Sequence, residues 1–150
     1  MRKTLGAAGL LLGLTLGAGC GGDAADADTV PVAGVVTVND QPAANALVTF
    51  HPAGDTKGNG GNGSTDEAGR YVILTLHGKK GLYPGKYTVT VSRRLNPDGS
   101  PPAPTEMPIE SKARETLPPK YADAAKAELT AAVVAGDKKT FDFPLKTGKK

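Results

Sequence analysis

Short segments in which apolar and polar residues alternate are the feature that most limits what this chain can fold into. In the clearest one, Tyr87, Val89 and Val91 alternate with the small polar residues between them, which is the period of a strand with one buried face. Further short segments rich in strand-forming residues lie at 32–38, 46–50, 71–74 and 140–145. Because Gly and Pro separate them and no βαβ rhythm is present, the pattern predicts an all-β, antiparallel β-sandwich.

The separating residues predict specific turns. Gly69 is expected at positive φ, and Pro84-Gly85 matches a type II turn, in which proline fixes φ and glycine supplies φ > 0. Gly34, inside a strand, is expected to let a neighbouring side chain lie against the backbone. The polar, glycine-rich stretch 55–64 is predicted to be a flexible loop.

Two later stretches are harder to assign. Residues 123–136 suit a helix between Asp123 and Gly136, yet a strand near 128–134 would give the final strand a partner across a turn at 136–138. We favour the strand and keep the helix as the alternative. The proline-rich stretch 95–119 cannot be regular throughout and is predicted to be a long loop over the sandwich.

Three motifs in order resemble carboxypeptidase regulatory-like domains. They are the Val32-x-Gly34-x-Val36 opening with its Ala46-x-Val48-x-Phe50 continuation, the turn 66–71, and Leu82-x-Pro84-Gly85-x-Tyr87-x-Val89. The stretches 117–121 and 141–143 resemble the C-terminal part of small planctomycete lipoproteins. The resemblance implies an Ig/transthyretin-like sandwich of about seven strands and does not imply an activity.

The first twenty residues have the order of an export signal. Arg2 and Lys3 precede an apolar run from Leu5 to Ala18, which is shorter than the roughly 20 residues that cross a bilayer. Gly17-Ala18-Gly19-Cys20 then resembles the bacterial lipobox, although Gly17 occupies the position where leucine is usual. The resemblance implies a diacylglyceryl group on the sulfur of Cys20 and cleavage before it. Cys20 is the single cysteine of the chain, so no intramolecular disulfide competes for it.

These features predict four parts: a signal peptide at 1–19, a lipidated cysteine and flexible tether at 20–31, the sandwich at 32–146, and a basic tail at 147–150. Loss of Arg2 and Lys3 takes the 18 Lys and Arg to 16, against 15 Asp and Glu, a formal charge of +1. The near-neutral chain has no dense basic stripe, so we expect no nucleic-acid partner. In proteobacteria-like sorting, Asp directly after the lipidated cysteine retains a lipoprotein at the inner membrane. Gly21 stands at that position, which favours location of the protein in the outer membrane, facing the periplasm or the surface.

Candidate chemistry is sparse. A nucleophile, base and acid cannot be assembled around His51 or His77, so we expect no catalytic residues and no enzyme activity. The two histidines lack the further ligands of a metal site, so we expect no metal and no cofactor. Asp66 and Glu67 are interpreted as solvated turn carboxylates, not calcium ligands.

The predicted partner is therefore the membrane, through the lipid on Cys20. A structural, adhesion or protein-interaction role in the cell envelope is the first hypothesis. The alternative is a glycan or small-ligand binding module that uses Tyr83, Tyr121 and the 95–121 loop, because exposed aromatic rings stack on sugars.

Overall fold

A computed structural model of the chain describes residues 28–107 and 109–148. Within these ranges the fold is an all-β sandwich with one helical turn, as the alternating pattern predicts. The strands are β1 Val32–Val38, β2 Gln41–Pro42, β3 Leu47–Ala53, β4 Gly61–Ser64, β5 Arg70–Val72, β6 Leu74–Thr75, β7 Gly85–Ser92, β8 Arg94–Leu95, β9 Arg114–Glu115, β10 Leu129–Val133, β11 Lys139–Thr140 and β12 Phe143–Leu145, and the helix is α1 Pro119–Ala122.

The first sheet is built on β1. The antiparallel strands β2 and β5 pair along one edge of β1, through Thr37↔Pro42 and Ala33↔Val72. The C-terminal strands β11 and β12 pair with β1 in parallel, through Ala33↔Thr140 and Thr37↔Pro144. Since Ala33 and Thr37 each have a partner on both sides, β1 is a central strand, and the first and last strands of the domain are neighbours.

The second sheet is antiparallel, in the order β10-β7-β3-β4-β6. Its long central strands, β3 and β7, pair from Leu47↔Ser92 to Ala53↔Lys86. Tyr87, Val89 and Val91 are all buried, which confirms the period-two prediction for this strand. A short hairpin of β8 and β9 lies apart from both sheets.

Aromatic rings join the two sheets. Phe50 of the second sheet lies 5.9 Å from Tyr87 on the neighbouring strand and 6.3 Å from Phe143 of the first sheet, measured between ring centroids. The ring of Phe143 in turn stacks on Tyr71 at 6.3 Å. Aromatic pairs at these spacings add to the stabilisation that burial provides. The centre of the core therefore lies where the sequence alternation places its phenylalanines.

The predicted strand 71–74 is split at Ile73, where the chain passes from one sheet to the other. Tyr71 pairs with β1, whereas Leu74 pairs with β4. Ile73 itself is fully buried, and its backbone N–H donates to Val32 O at 2.9 Å. The structure therefore has more strands than the seven predicted, partly because this segment contributes one strand to each sheet.

The glycine-rich stretch is not a loop throughout, contrary to the sequence prediction. Gly61–Ser64 forms β4 between β3 and β6. A Cβ at Gly63 would fall on the carbonyl oxygen of Val72, and one at Gly61 would lie 2.9 Å from a methyl group of Ile73. Glycine is required in this strand because the chain that changes sheets at Ile73 packs directly on it.

The final segment is also interrupted, at Phe141 and Asp142. Phe141 N–H donates to Ala33 O at 3.0 Å, and its carbonyl accepts a 2.7 Å hydrogen bond from the Tyr71 hydroxyl. The carboxylate of Asp142 accepts from Val35 N–H at 2.9 Å. A Cβ at Gly34 would overlap the Phe141 carbonyl oxygen and would lie 3.0 Å from the Tyr71 ring. What approaches Gly34 is thus first a backbone carbonyl and only then a side chain.

The stretch 128–134 contains a strand, β10, as favoured from the sequence, but its predicted partner is wrong. Leu129–Val133 pairs with β7, through Leu129↔Val89 and Val133↔Gly85, and not with the final strand. After Gly136 the chain crosses to the other sheet, where residues 139–145 pair with β1. This arrangement covers the edge of β7 that β3 leaves open and buries Ala131 and Val133.

Of the two predicted turn glycines, one behaves as expected. Gly69 has φ +73°, and its carbonyl accepts from Val36 N–H at 2.8 Å. Gly85 has φ 159°, far from the value near +80° of a type II turn, so that turn prediction is wrong. Glycine is needed at position 85 because Thr56 occupies the space of a Cβ.

We expect Gly34→Ala to lower the free energy of unfolding by about 1–3 kcal/mol, because the new methyl group meets a backbone carbonyl that cannot rotate away. Urea denaturation followed by circular dichroism measures the change. Gly148→Ala is the control, since a Cβ there meets nothing within 4 Å. Equal midpoints for the two variants would contradict the assigned role of Gly34.

Candidate functional site

Cys20, the one residue with a predicted covalent modification, lies outside the described residues. The described chain begins at Asp28 and joins the domain at once. Thr29 and Val30 are buried, and Val30 exchanges two backbone hydrogen bonds with Leu82, at 2.8 and 2.9 Å. The tether was predicted to extend to residue 31, whereas these contacts make Val30 part of the core.

The strand register divides the sandwich into two ends. The end at which Asp28 enters, here called the tether end, carries the connections 54–60, 76–84 and 134–138. The opposite end, here called the loop end, carries the connections 39–40, 65–69 and 96–113. Strand β7 runs from one end to the other, and its eight residues span about 23 Å at about 3.3 Å per residue.

Tyr83 lies at the tether end, between two cavities of about 240 and 440 Å³ that it borders together with Thr29. Its half-buried ring rests against Gly58, where a Cβ would come within 2.7 Å of a ring carbon. Its carbonyl accepts a 2.7 Å hydrogen bond from the Tyr87 hydroxyl. The ring is therefore held between a backbone and two concave surfaces, which partly agrees with its predicted exposure.

Tyr121 does not share that setting, and its predicted exposure is wrong. The residue is 7% exposed, on α1, and belongs to the core cluster. Its hydroxyl accepts from Lys146 N–H at 3.3 Å, at the loop end. The proline at the start of α1 has φ preset for a helix, so the turn forms and directs the ring inward.

A single ligand site formed by Tyr83, Tyr121 and the 95–121 loop is therefore not present. Tyr83 lies before the start of β7, whereas the loop leaves from its end. The sequence placed these residues together because each was an aromatic or loop residue without an assigned core position. The length of β7 separates them.

The long loop is shorter and better held than predicted. Its two ends form the β8–β9 hairpin, and Glu115 fastens them to β7. Glu115 Oε1 accepts from the backbone N–H groups of Arg93, Thr116 and Leu117 at 2.9 to 3.0 Å, and Oε2 accepts from the Ser92 hydroxyl at 2.6 Å. Sequence reasoning missed this carboxylate, since no local motif marks a glutamate that binds the end of a strand 23 residues earlier in the chain.

The histidines remain apart from any described catalytic or metal arrangement. Nε2 of His51 lies 3.0 Å from the Thr90 hydroxyl on the neighbouring strand. His77 is exposed at the tether end, on the border of the smaller cavity. Within the described residues, no three side chains of the metal-binding types lie close enough together to hold an ion.

Asp66 organises its own turn at the loop end. Its Oδ1 accepts from the N–H groups of Ala68 and Arg70, each at 2.9 Å, and its Oδ2 accepts from the Arg70 guanidinium at 3.0 Å. The hydrogen bond from the Arg70 N–H is the main cause that lowers the pKa of Asp66 below its usual range. This carboxylate is therefore a structural element of the turn.

Charge is distributed unevenly between the two ends. The tether end and its adjoining strand residues carry six lysines against three aspartates, a formal charge of +3. They are Lys57, Lys79, Lys80, Lys86, Lys138 and Lys139, with Asp28, Asp55 and Asp137. The rest of the described chain carries eight Lys and Arg against ten Asp and Glu, a charge of −2. No helix among the described residues is long and apolar enough to cross a bilayer.

No family model and no curated protein matches this chain. Among solved structures, a 9R-lipoxygenase from Cyanothece is similar over 80% of the chain, with 16% sequence identity and a TM-score of 0.33. The chain spans 16% of that lipoxygenase. A likeness at this TM-score carries no argument, so the resemblance to carboxypeptidase regulatory-like domains stays a prediction from the motifs.

We expect Glu115→Gln to loosen the base of the 96–113 loop, because the neutral amide oxygen accepts the three backbone hydrogen bonds without the charge that strengthens them, and the amide nitrogen cannot accept from the Ser92 hydroxyl. Limited proteolysis should then cut within 96–113 several-fold faster, since cleavage follows local opening. Glu110→Gln, an exposed glutamate in the same loop, is the matched control. Identical cleavage rates for the two variants would exclude the anchoring role of Glu115.

Proposed function

We propose that this protein is an exported lipoprotein, anchored to a membrane of the cell envelope through a diacylglyceryl thioether on Cys20. The sandwich is then a non-catalytic domain with a structural, adhesion or protein-interaction role. The observation that carries the proposal is the sequence 1–20: a basic start, a short apolar run, and small residues immediately before the single cysteine.

The arrangement of the described residues supports such an anchor. The chain that leads from Cys20 reaches the sandwich at one end, where Val30 is paired with Leu82 and buried. A pull on the lipid is therefore transmitted to a residue that is bonded into the core. Two or three acyl chains hold firmly where one exchanges, because each buried CH₂ contributes about 0.8 kcal/mol.

The non-catalytic role is supported by how the candidate groups are used. The ring of His51 is engaged by the Thr90 hydroxyl, and the carboxylate of Asp66 is engaged by the backbone of its own turn. Glu115 fastens a loop. Each of these polar side chains has a defined structural partner, which favours a domain whose function is to present surfaces.

We expect the wild-type protein, expressed in a bacterium and labelled with a radioactive fatty acid, to incorporate the label and to partition into detergent. Mass spectrometry of the mature N-terminus should find an acylated Cys20. Globomycin, which inhibits the lipoprotein signal peptidase, should cause the uncleaved precursor to accumulate. Cys20→Ser is the control and should take up no label. A mature chain that starts elsewhere, without lipid, would refute the proposal.

Binding of a glycan or small ligand is a second candidate, favoured by the position of Tyr83 between two cavities. Titration with soluble peptidoglycan fragments and polysaccharides should then shift amide resonances of 54–60 and 76–84, and Tyr83→Ala should abolish the shifts. Met107→Ala, at the loop end, serves as the control and should bind as the wild type does. Silence across these ligands would exclude this candidate.

A further inference from the structure

The length of chain between Cys20 and the sandwich limits where the domain can lie. Eight peptide links separate Cys20 from Asp28. At no more than about 3.6 Å per residue they reach about 29 Å at full extension. In the lipid-anchored protein that we propose, on which this inference rests, the tether end is therefore held within that distance of the bilayer surface. The loop end is free to point away.

Charge decides which surface of the tethered domain turns toward an anionic bilayer. The tether end carries +3, and the rest of the described chain carries −2. Over the whole mature chain, Asp23 and Asp26 lower the tether end to +1, and Lys149 and Lys150 raise the remainder to 0, so the tether end stays the more positive part. Anionic lipids attract lysines that lie within a Debye length, about 8 Å at physiological salt, so the orientation with the tether end down is the favoured one.

The same end also carries side chains suited to a membrane interface. Leu76 is 67% exposed and borders the smaller cavity together with Tyr83. An aliphatic side chain beside an amphipathic tyrosine suits the headgroup region, where one part of a surface is wet and the other apolar. Both residues lie on the connection 76–84, which also carries Lys79 and Lys80.

We propose that the tether end is a membrane-docking surface, and that its partner is an anionic phospholipid bilayer. Lys57 and Lys138, from two of the connections, meet the headgroups, and Leu76 and Tyr83 enter the interface. The loop end, with the 96–113 loop, then faces away from the membrane. The cysteine anchors the domain, and the tether end sets its orientation.

The test uses the lipidated full chain, reconstituted into vesicles of phosphatidylcholine alone or with a quarter phosphatidylglycerol. Amide hydrogen exchange is measured by mass spectrometry. On the anionic vesicles, peptides covering 54–60, 76–84 and 134–138 should exchange about threefold or more slowly than on neutral ones, because the bilayer restricts their opening. Exchange in 96–113 should be unchanged. Salt at about 0.5 M should remove the difference, since the attraction is screened.

Two charge-reversal variants keep the result specific. Lys57→Glu with Lys86→Glu takes the tether end from +3 to −1 and should abolish the protection. Lys112→Glu with Lys126→Glu, equally exposed but elsewhere on the domain, should retain it.

The outcomes separate this proposal from the anchor itself. A chain that does not float with either vesicle fails the lipoprotein proposal. A chain that floats but exchanges equally on both vesicle types overturns the docking surface alone. Protection that appears on neutral vesicles and grows with protein density would assign the tether end to a second copy of the chain and would overturn the proposal as well.

Discussion

The return of the C-terminal segment to β1 is the constraint on which the rest of the domain depends. The Tyr71 hydroxyl donates to the Phe141 carbonyl, and that carbonyl lies on Gly34, so three distant parts of the chain meet at one point. Burial, aided by the charge of Asp142, raises the pKa of Tyr71 and keeps the phenol protonated. Its contribution to stability is therefore complete below pH about 10, the pKa of an unfolded tyrosine, and is lost as the pH rises above it.

This closure fixes the core as well as the edge of the sheet. The C-terminal segment places the rings of Phe141 and Phe143 against Phe50, with centroids 6.0 and 6.3 Å away. Phe50 is the point where the second sheet meets the first. With only three phenylalanines and no tryptophan in the chain, the packing of the sandwich relies on a few large side chains. The same segment that completes the first sheet thus supplies two of the three phenylalanines of the chain.

The sequence predicts the strands of this fold better than their pairing. Alternation identified Tyr87 and its neighbours as a strand because a half-buried strand repeats every two residues. It could not show that Gly61–Ser64 is a strand. Glycine is needed there because residues 72–74, which belong to a later segment of the chain, pack against the backbone of this strand. Sequence reasoning also paired β10 with the wrong partner, because the choice between β7 and the final strand depends on which edge is left open in three dimensions. Local patterns report burial, whereas pairing is decided by the whole sheet.

The same distinction explains what the sequence revealed of the function. A lipobox is a continuous motif, so Cys20 stands out without a structure. The charge of the tether end is assembled from separate connections and strand ends, and each contributes only one or two lysines, such as Lys57 in a connection and Lys86 in β7. No window of the sequence is strongly basic, and the chain as a whole is nearly neutral after residue 19. Antiparallel pairing gathers these connections at the end where Asp28 enters. A surface positioned by a tether does not need a strongly basic sequence motif. The lipid anchor already supplies the affinity for the membrane, so the charge of the surface only has to favour one orientation of the domain.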